Sequence, residues 1–389
     1  MAVDRRWFRQ FACPLEYGDP LVLDAVAVPH ARAIAGRLAA GVRNVEGLTS
    51  FLAGWAAESD GTCGFDDVWD IAFGHAQSVL MSGRGDLVGA AVRVGVRLIE
   101  VGVLGAWRAD VGVGSLRLGT LLLPEAEAVE ASRDGNCAVV TLRLPGGGKV
   151  RVTQGEGGEW LAATVDALTS FDAGRPVRLL PRRAVPREVE GFDGVTSVET
   201  IDLATTEAFA AAGSVLAARA PDALAWVGRI LRDVVVCVPE ETFRAVSGSG
   251  EHAPGMIHVS HSLGRMDIAE ILVHECAHQY FYLLERVGPL DDGSDRRLYW
   301  SPPIRRERPL SRVLMAYHAL ANVRLLYEAF RGAESEARLG DCAAYVGGNL
   351  PGLDAAVAEL DVPLRGSPAL TDLGRALYEP LAARIDGLR

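Results

Sequence analysis

The stretch Ile271–His278 constrains the fold and chemistry of this chain more than any other feature. It reads Ile-Leu-Val-His-Glu-Cys-Ala-His, an H-E-x-x-H pattern inside an apolar segment. Residues four apart lie on one face of a helix, so His274 and His278 can bind one metal ion through their imidazole nitrogens. Glu275 would project beside that ion and could act on a metal-bound water.

A helix-start signal precedes this pattern and a helix-stop signal follows it, and together they predict a helix over Ile268–Val287. Asp267 and Glu270 have the spacing of a capping box, while Gly288 and Pro289 are typical of a helix end. The alternative interpretation is a pair of core histidines bonded to backbone carbonyls. It is less favoured because each buried imidazole would then need a partner of its own.

The composition limits the number of domains, the location and the partners that this chain can have. The chain has 389 residues, enough for two or three domains, with 49% hydrophobic and 23% charged residues. No apolar run reaches membrane-spanning length, and no signal-peptide core follows the first residues, so we predict a cytoplasmic protein without membrane contact. The net charge of −11 argues against nucleic acid as a partner. The oligomeric state stays open.

Patterning along the chain predicts a predominantly helical α+β protein in three regions. Residues 1–110 have helical periodicity, including a predicted helix over Asp86–Trp107. Residues 111–190 are β-rich, with a single strand predicted over Ser115–Leu123 and a hairpin between Ala138–Leu144 and Lys149–Thr153. Residues 191–389 form the predicted metal-binding catalytic region. The expected site lies on two packed, zincin-like helices beside a small antiparallel sheet.

Shorter segments are distinguished by their composition. Arg175–Pro186 is basic and proline-containing and is predicted to be a linker, while Val246–Pro254 is predicted to be a Gly/Ser/Pro loop. Two apolar runs, Asp233–Val238 and Met256–Ser262, are predicted strands. The second of these leads directly into the H-E-x-x-H helix.

A third metal ligand is expected because catalytic metal sites commonly use three protein ligands. Six of the eight histidines fall within residues 252–318. His318 lies on a predicted helix over Arg312–Phe330, capped by Ser311, and is the first choice. Glu307 is the second. The alternative is that His318 is an interface residue between packed helices.

Arginines cluster between these two helices, at positions 305, 306, 308 and 312. Guanidinium groups form bidentate bonds to carboxylates, so the cluster would suit an acidic cosubstrate. The alternative is a solvated basic loop that pairs with the acidic run at residues 291–295.

The segment Pro254–Phe330 resembles the HExxH-motif peptide-modification proteins, the 2-oxoglutarate-dependent HExxH peptide β-hydroxylases that act on ribosomally made peptides. The resemblance covers about a fifth of the chain. Its matching features are Pro254–Ile257, Ile271–His278, Trp300–Pro302, Arg308–Ser311 and the helix through Tyr317.

This resemblance implies a non-haem Fe(II) dioxygenase that uses 2-oxoglutarate and O₂ to hydroxylate a peptide side chain. His274, His278 and His318 would hold the iron, and Arg308 and Arg306 would bind the cosubstrate. Glu275 would orient neighbouring groups or act as a further metal ligand, rather than as the general base of a peptidase. The residues predicted to contact the peptide are His258, Ser260 and Tyr317.

Two further functions remain open. In a zinc metallopeptidase, Glu275 would activate water and the strand Met256–Ser262 would bind an extended peptide. In a non-catalytic peptide-binding protein, the metal site would be vestigial. The intact H-E-x-x-H pattern disfavours this third interpretation.

Overall fold

Helices predominate in this mixed α and β protein, which confirms the coarse fold class. The predicted boundary between residues 190 and 191 lies outside the described residues. The computed structural model describes residues 5–16, 19, 21–43, 45–58, 63–155, 159–162, 166–185, 195–239, 247–331 and 340–388.

The first hundred residues are helical, as predicted, with one correction at the end of this region. The helix predicted over Asp86–Trp107 ends at Glu100, and Trp107 lies in a strand. Gly102 and Gly105 adopt positive φ angles of 114° and 143° between the two, a conformation that interrupts a helix. The elements are a 3₁₀ helix (Arg5–Phe11), α1 (Leu21–Gly41), α2 (Glu46–Ala57), α3 (Phe65–Val68), α4 (Ile71–Ser82) and α5 (Leu87–Glu100).

The β-rich region contains two antiparallel sheets. The predicted hairpin is confirmed, with Leu142 opposite Val150. The single strand predicted over Ser115–Leu123 is instead two strands, because Gly119 turns the chain with a φ of 55°. The larger sheet contains β1 (Gly105–Ala109), β4 (Ala128–Asp134), β5 (Cys137–Arg143), β6 (Lys149–Gln154) and β7 (Trp160–Leu161); the smaller contains β2 (Leu116–Leu118), β3 (Leu121–Leu123) and β8 (Asp166–Ala167).

A mixed sheet of six strands positions the candidate site. Its three central strands are parallel, and its edge strand β13 runs antiparallel to β14. Two predictions were wrong here: the supposed linker contains β10, and the supposed loop contains β13. The strands are β9 (Ser170–Asp172), β10 (Pro176–Leu180), β11 (Val195–Ser197), β12 (Asp233–Pro239), β13 (Ser247–Ser249) and β14 (Met256–Ser260).

The remaining helices pack around this sheet and against each other. α8 carries the H-E-x-x-H residues and packs on α6, α7 and α9. A two-stranded hairpin and a 3₁₀ turn (Pro302–Ile304) connect α8 to α9. The elements are α6 (Leu203–Arg219), α7 (Pro221–Ile230), α8 (Arg265–Glu285), β15 (Tyr299–Ser301), β16 (Arg306–Arg308), α9 (Leu310–Arg331), α10 (Gly340–Leu364) and α11 (Asp372–Asp386).

A buried cluster of charges joins the helical region to both β regions. Asp233 is fully buried and accepts hydrogen bonds from Arg117 at 2.6 Å and from Arg178 at 2.7 Å. Asp70, the N-cap of α4, forms an ion pair with Arg117 at 3.2 Å. Burial alone would raise the pKa of Asp70, but Arg117, Arg97 and Arg178 outweigh it and hold that pKa well below its usual range.

Candidate metal centre

α8 carries the candidate site and starts earlier than predicted. It begins at Arg265, and its N-cap is Gly264, which has no capping side chain. The predicted capping box is therefore wrong. Glu270 instead accepts hydrogen bonds from the hydroxyls of Tyr327 and Tyr345, the latter at 2.8 Å. These bonds tie the first part of α8 to α9 and α10.

The two histidines of the pattern lie one turn apart on the same face of α8. His274 and His278 are each half-buried, their ring centroids are 4.8 Å apart, and their ring planes are nearly perpendicular. This proximity follows from the i, i+4 spacing and permits both imidazoles to bind one ion. The predicted pairing of these two residues is therefore present in the fold.

The surroundings of His278 favour the neutral imidazole, which is the metal-binding form. Burial lowers the pKa of His278 well below its usual value, and the nearby His274, His318, Arg308 and Arg312 lower it further. Nδ1 of His278 is buried and has no hydrogen-bond partner among the described residues.

Glu275 is held by two serines of the edge strand. The Ser247 hydroxyl donates to Oε1 and the Ser249 hydroxyl donates to Oε2, each at 2.7 Å. The carboxylate is 3% exposed, so these bonds replace the water it loses on burial. Sequence reasoning missed both serines, although their spacing of two is the period at which side chains share one face of a strand.

His318 is held by the N-terminal segment. Its ring is fully buried, and Nε2 lies 2.9 Å from the carbonyl oxygens of both Phe11 and Ala12. Because both neighbours are acceptors, Nε2 must carry the proton and cannot bind a metal. Burial lowers the pKa of His318 to about 4. This arrangement matches the alternative weighed above, an interface residue between packed elements.

Nδ1 of His318 is then the unprotonated nitrogen and has no hydrogen-bond partner among the described residues, so His318 as the third ligand stays a prediction. Within the described ranges, no group of three or more His, Cys, Asp or Glu side chains is arranged to hold a metal ion. Glu307, the second choice, is exposed on β16. The described residues thus present a pair of neighbouring imidazoles, and metal binding by this pair, like the third ligand, stays a prediction.

Two arginines accompany the histidine pair. Arg308 ends β16 and Arg312 lies in the first turn of α9, and both are half-buried. Burial lowers the pKa of Arg308, and the positive charges of Arg306 and Arg312 lower it further. Neither Arg308 nor Arg312 forms an ion pair within the described residues, whereas Arg306 is exposed.

Two of the residues predicted to contact the peptide, His258 and Ser260 on β14, are buried. His258 and Ser260 are 4% and 1% exposed, and β14 is hydrogen-bonded on both edges, to β12 and β13. Side chains alternate along a strand, so these two residues share the face of Met256. Ile257 and Val259 occupy the other face and belong to the apolar core that includes α8.

Tyr317, the third residue predicted to contact the peptide, is also buried. It is 1% exposed and packs against Tyr378 of α11, with ring centroids 5.3 Å apart. Sequence reasoning overlooked Tyr282, which follows His278 by four residues and is half-buried. Burial raises the pKa of Tyr282 to about 12, although the nearby Arg312 lowers it, so its hydroxyl stays protonated and donates to the Ser249 carbonyl oxygen at 3.5 Å.

Comparisons with known proteins identify no family. No family model matches the chain, and no curated protein sequence matches it significantly. In the part of the chain that the structure describes, no helix is both long and apolar enough to cross a membrane.

Proposed function

We propose that this protein is an Fe(II)- and 2-oxoglutarate-dependent oxygenase that hydroxylates a side chain of a ribosomally made peptide. The observation that carries the proposal is the pair of half-buried arginines, Arg308 and Arg312, whose charges act on His278. Burying a guanidinium without a carboxylate is unfavourable. An acidic cosubstrate would supply the missing partner.

In this proposal each residue has a separate task. His274 and His278 bind the metal ion, and Arg308 and Arg312 bind the distal carboxylate of 2-oxoglutarate. The bound iron supplies the oxidative chemistry: one oxygen atom of O₂ enters succinate as CO₂ is lost, and the other becomes the new hydroxyl of the peptide. An assay of O₂-dependent succinate release, with mass spectrometry of the peptide, tests the overall reaction.

The environment of Glu275 is consistent with a positioning residue. Both of its carboxylate oxygens accept a serine hydroxyl from β13. A general base must instead be within hydrogen-bond reach of the water that it deprotonates. The serine bonds secure α8 against the edge strand and so orient the turn that carries both histidines.

The first prediction concerns the arginines. Arg308→Ala and Arg312→Ala should each raise the 2-oxoglutarate concentration needed for half-maximal turnover by about ten- to a hundredfold, because a charged hydrogen bond is lost. The measurement is succinate release against 2-oxoglutarate concentration. Wild-type protein should strongly prefer 2-oxoglutarate to 2-oxobutanoate, which lacks the distal carboxylate, and both variants should lose that preference.

Arg331→Ala is the control for this experiment, since it removes the same charge from an exposed position at the far end of α9. Its 2-oxoglutarate requirement should equal that of the wild type. An unchanged 2-oxoglutarate requirement in both Arg308→Ala and Arg312→Ala would overturn their assignment as the cosubstrate-binding residues. Arg306 would then be the next residue to test.

A zinc peptidase is the second candidate, and the position of β13 favours it. β13 is an edge strand, and it holds Glu275 through Ser247 and Ser249. An extended peptide can add to such an edge by backbone hydrogen bonds. Glu275 would then lie against the strand with which the peptide pairs.

The second prediction separates these candidates through Glu275→Gln. A peptidase that loses its general base should slow by about 10²–10⁴-fold while keeping its metal. We expect instead that most O₂-dependent succinate release survives, because glutamine can still accept a hydroxyl from Ser247 or Ser249. Ser247→Ala is the matched control that keeps the carboxylate. Zn(II)-dependent cleavage without 2-oxoglutarate would contradict the oxygenase proposal.

A further inference from the structure

A groove lies between α1, the 3₁₀ helix Arg5–Phe11 and the end of α8. Its volume is about 660 Å³, within the range of small-molecule sites. The wall residues from α1 form two rows with a spacing of four, so they share one side of the helix and extend along it for about 12 Å. These residues are Leu21, Val22, Ala25, Val26, Pro29 and His30. The groove is therefore elongated along α1.

Most of this wall is apolar and open to solvent. Trp7, Leu21 and Val287 line the groove and are 55%, 67% and 37% exposed, although large apolar side chains are usually buried. Ala25 and Pro29 continue the row that Leu21 begins, and they are exposed as well. Exposed apolar side chains that line one groove are typical of a binding surface.

Arg286 supplies the positive charge of this wall. It is half-buried, and its guanidinium lies over the ring of Trp69, 4.6 Å from the centroid. Burial lowers the pKa of Arg286 to about 10, and the charge of Glu251 offsets only part of this shift. The Glu251 carboxylate lies 3.0 Å from Nε2 of His252, and Arg286 forms no ion pair in the part of the chain that the structure describes. The guanidinium is therefore charged at neutral pH and lacks a carboxylate partner.

The nitrogen atoms of Arg286 indicate where such a partner would bind. Nη2 donates to Oε1 of Gln77 at 3.5 Å and to the carbonyl oxygen of Glu251 at 3.4 Å. The same Gln77 oxygen lies 3.1 Å from Nε2 of His30, which places the guanidinium at the His30 end of the groove. Nε and Nη1 have no hydrogen-bond partner among the residues that the structure describes, and neither atom is buried. Because Arg286 lines the groove, both are available to a ligand there.

The opposite end of the groove is acidic. Asp19 immediately precedes the row of α1 residues, and its exposed carboxylate accepts a hydrogen bond from the Leu21 N–H at 2.9 Å. A ligand carboxylate would be repelled at this end and attracted by Arg286 at the other. The charges of the wall therefore favour an acid whose apolar part extends away from Arg286, towards Asp19.

We propose that this groove binds a medium-chain fatty acid, whose carboxylate accepts hydrogen bonds from Arg286 and whose alkyl chain lies along α1. The carboxylate supplies the missing partner of the guanidinium. The alkyl chain covers the exposed apolar rows, which removes their surface from water. The inference is independent of the proposed oxygenase function, because neither His274 nor His278 lines the groove.

Octanoate and octan-1-ol form a matched pair of probes, because a hydroxyl replaces the carboxylate on a chain of equal length. Isothermal titration calorimetry of the full chain should show one octanoate per chain and roughly tenfold weaker binding of octan-1-ol, since a charged hydrogen bond is lost. Equal affinities would overturn the role of Arg286. Absence of octanoate binding below its micelle-forming concentration would overturn the site.

Three variants locate the binding event. Arg286→Met keeps an unbranched apolar side chain and should bind both probes with similar affinity. Arg331→Met removes the same charge from the far end of α9 and should keep the preference for octanoate. Ala25→Trp fills the groove from an exposed position of α1 and should abolish binding of both probes.

Circular dichroism and thermal unfolding check that each variant folds. Ala25→Trp tests the site even if Arg286→Met does not fold, because its side chain replaces none of the contacts of Arg286. Octanoate binding that survives Ala25→Trp unchanged would place the ligand elsewhere and overturn the proposal. A preference for octanoate that persists in Arg286→Met would likewise overturn the assigned carboxylate partner.

Discussion

Replacing His274 and His278 together by alanine is expected to abolish metal binding and turnover while the fold persists. Both rings are half-buried on one face of α8, and the core of that helix is built by other side chains. Loss of two direct ligands should weaken binding by more than the roughly 10–100-fold that loss of an outer partner costs. Metal content after anaerobic reconstitution with Fe(II), measured by mass spectrometry, checks this prediction.

His261→Ala is the matched control, because His261 is exposed and follows β14 rather than lying on α8. It should retain as much metal as the wild type. Stoichiometric iron in the double variant would show that the ion binds elsewhere, and the proposed function would lose its basis. Circular dichroism of the double variant separates loss of the ion from loss of the fold.

The second large effect concerns stability and is expected in the buried charge cluster around Asp233. Asp233→Ala would leave Arg117 and Arg178 without their shortest acceptor bonds, at 2.6 and 2.7 Å. Breaking a buried ion pair from one side costs about 3–5 kcal/mol, because the remaining charge is not solvated. Urea denaturation should show a decrease of that size in the free energy of unfolding.

Asp110→Ala is the control for charge removal as such. Asp110 also forms ion pairs with two arginines, Arg108 and Arg143, but these pairs are exposed to solvent. Exposed pairs contribute little to stability, so its unfolding midpoint should hardly move. Equal effects of the two substitutions would mean that burial of Asp233 is unimportant.

Local patterns were sufficient to predict the helix that carries the histidine pair and two strands of the sheet beside it. α8 was recognised because its apolar residues recur with helical spacing, and β12 and β14 because they are short apolar runs. The contact between His274 and His278 followed from helix geometry alone. Each of these inferences uses residues that are close in sequence.

What escaped prediction depends on contacts between distant segments. β13 contains only serine and glycine, so no β-branched or aromatic residue marks it as a strand. The burial of His258 and Ser260 depends on strands and cores on both sides of β14. The partners of His318 lie in the first segment of the chain, and no local pattern indicates them.

The carbonyl group of Ala12 has a consequence for the order of folding. It accepts from His318 and Asn322, which lie 306 and 310 residues further along the chain. Such contacts close very large loops, whose entropic cost grows with the logarithm of their length. We therefore expect the segment around Ala12 to dock late, after α9 has formed. Release of this segment would break the hydrogen bonds of His318 and Asn322 to Ala12 in a single opening event.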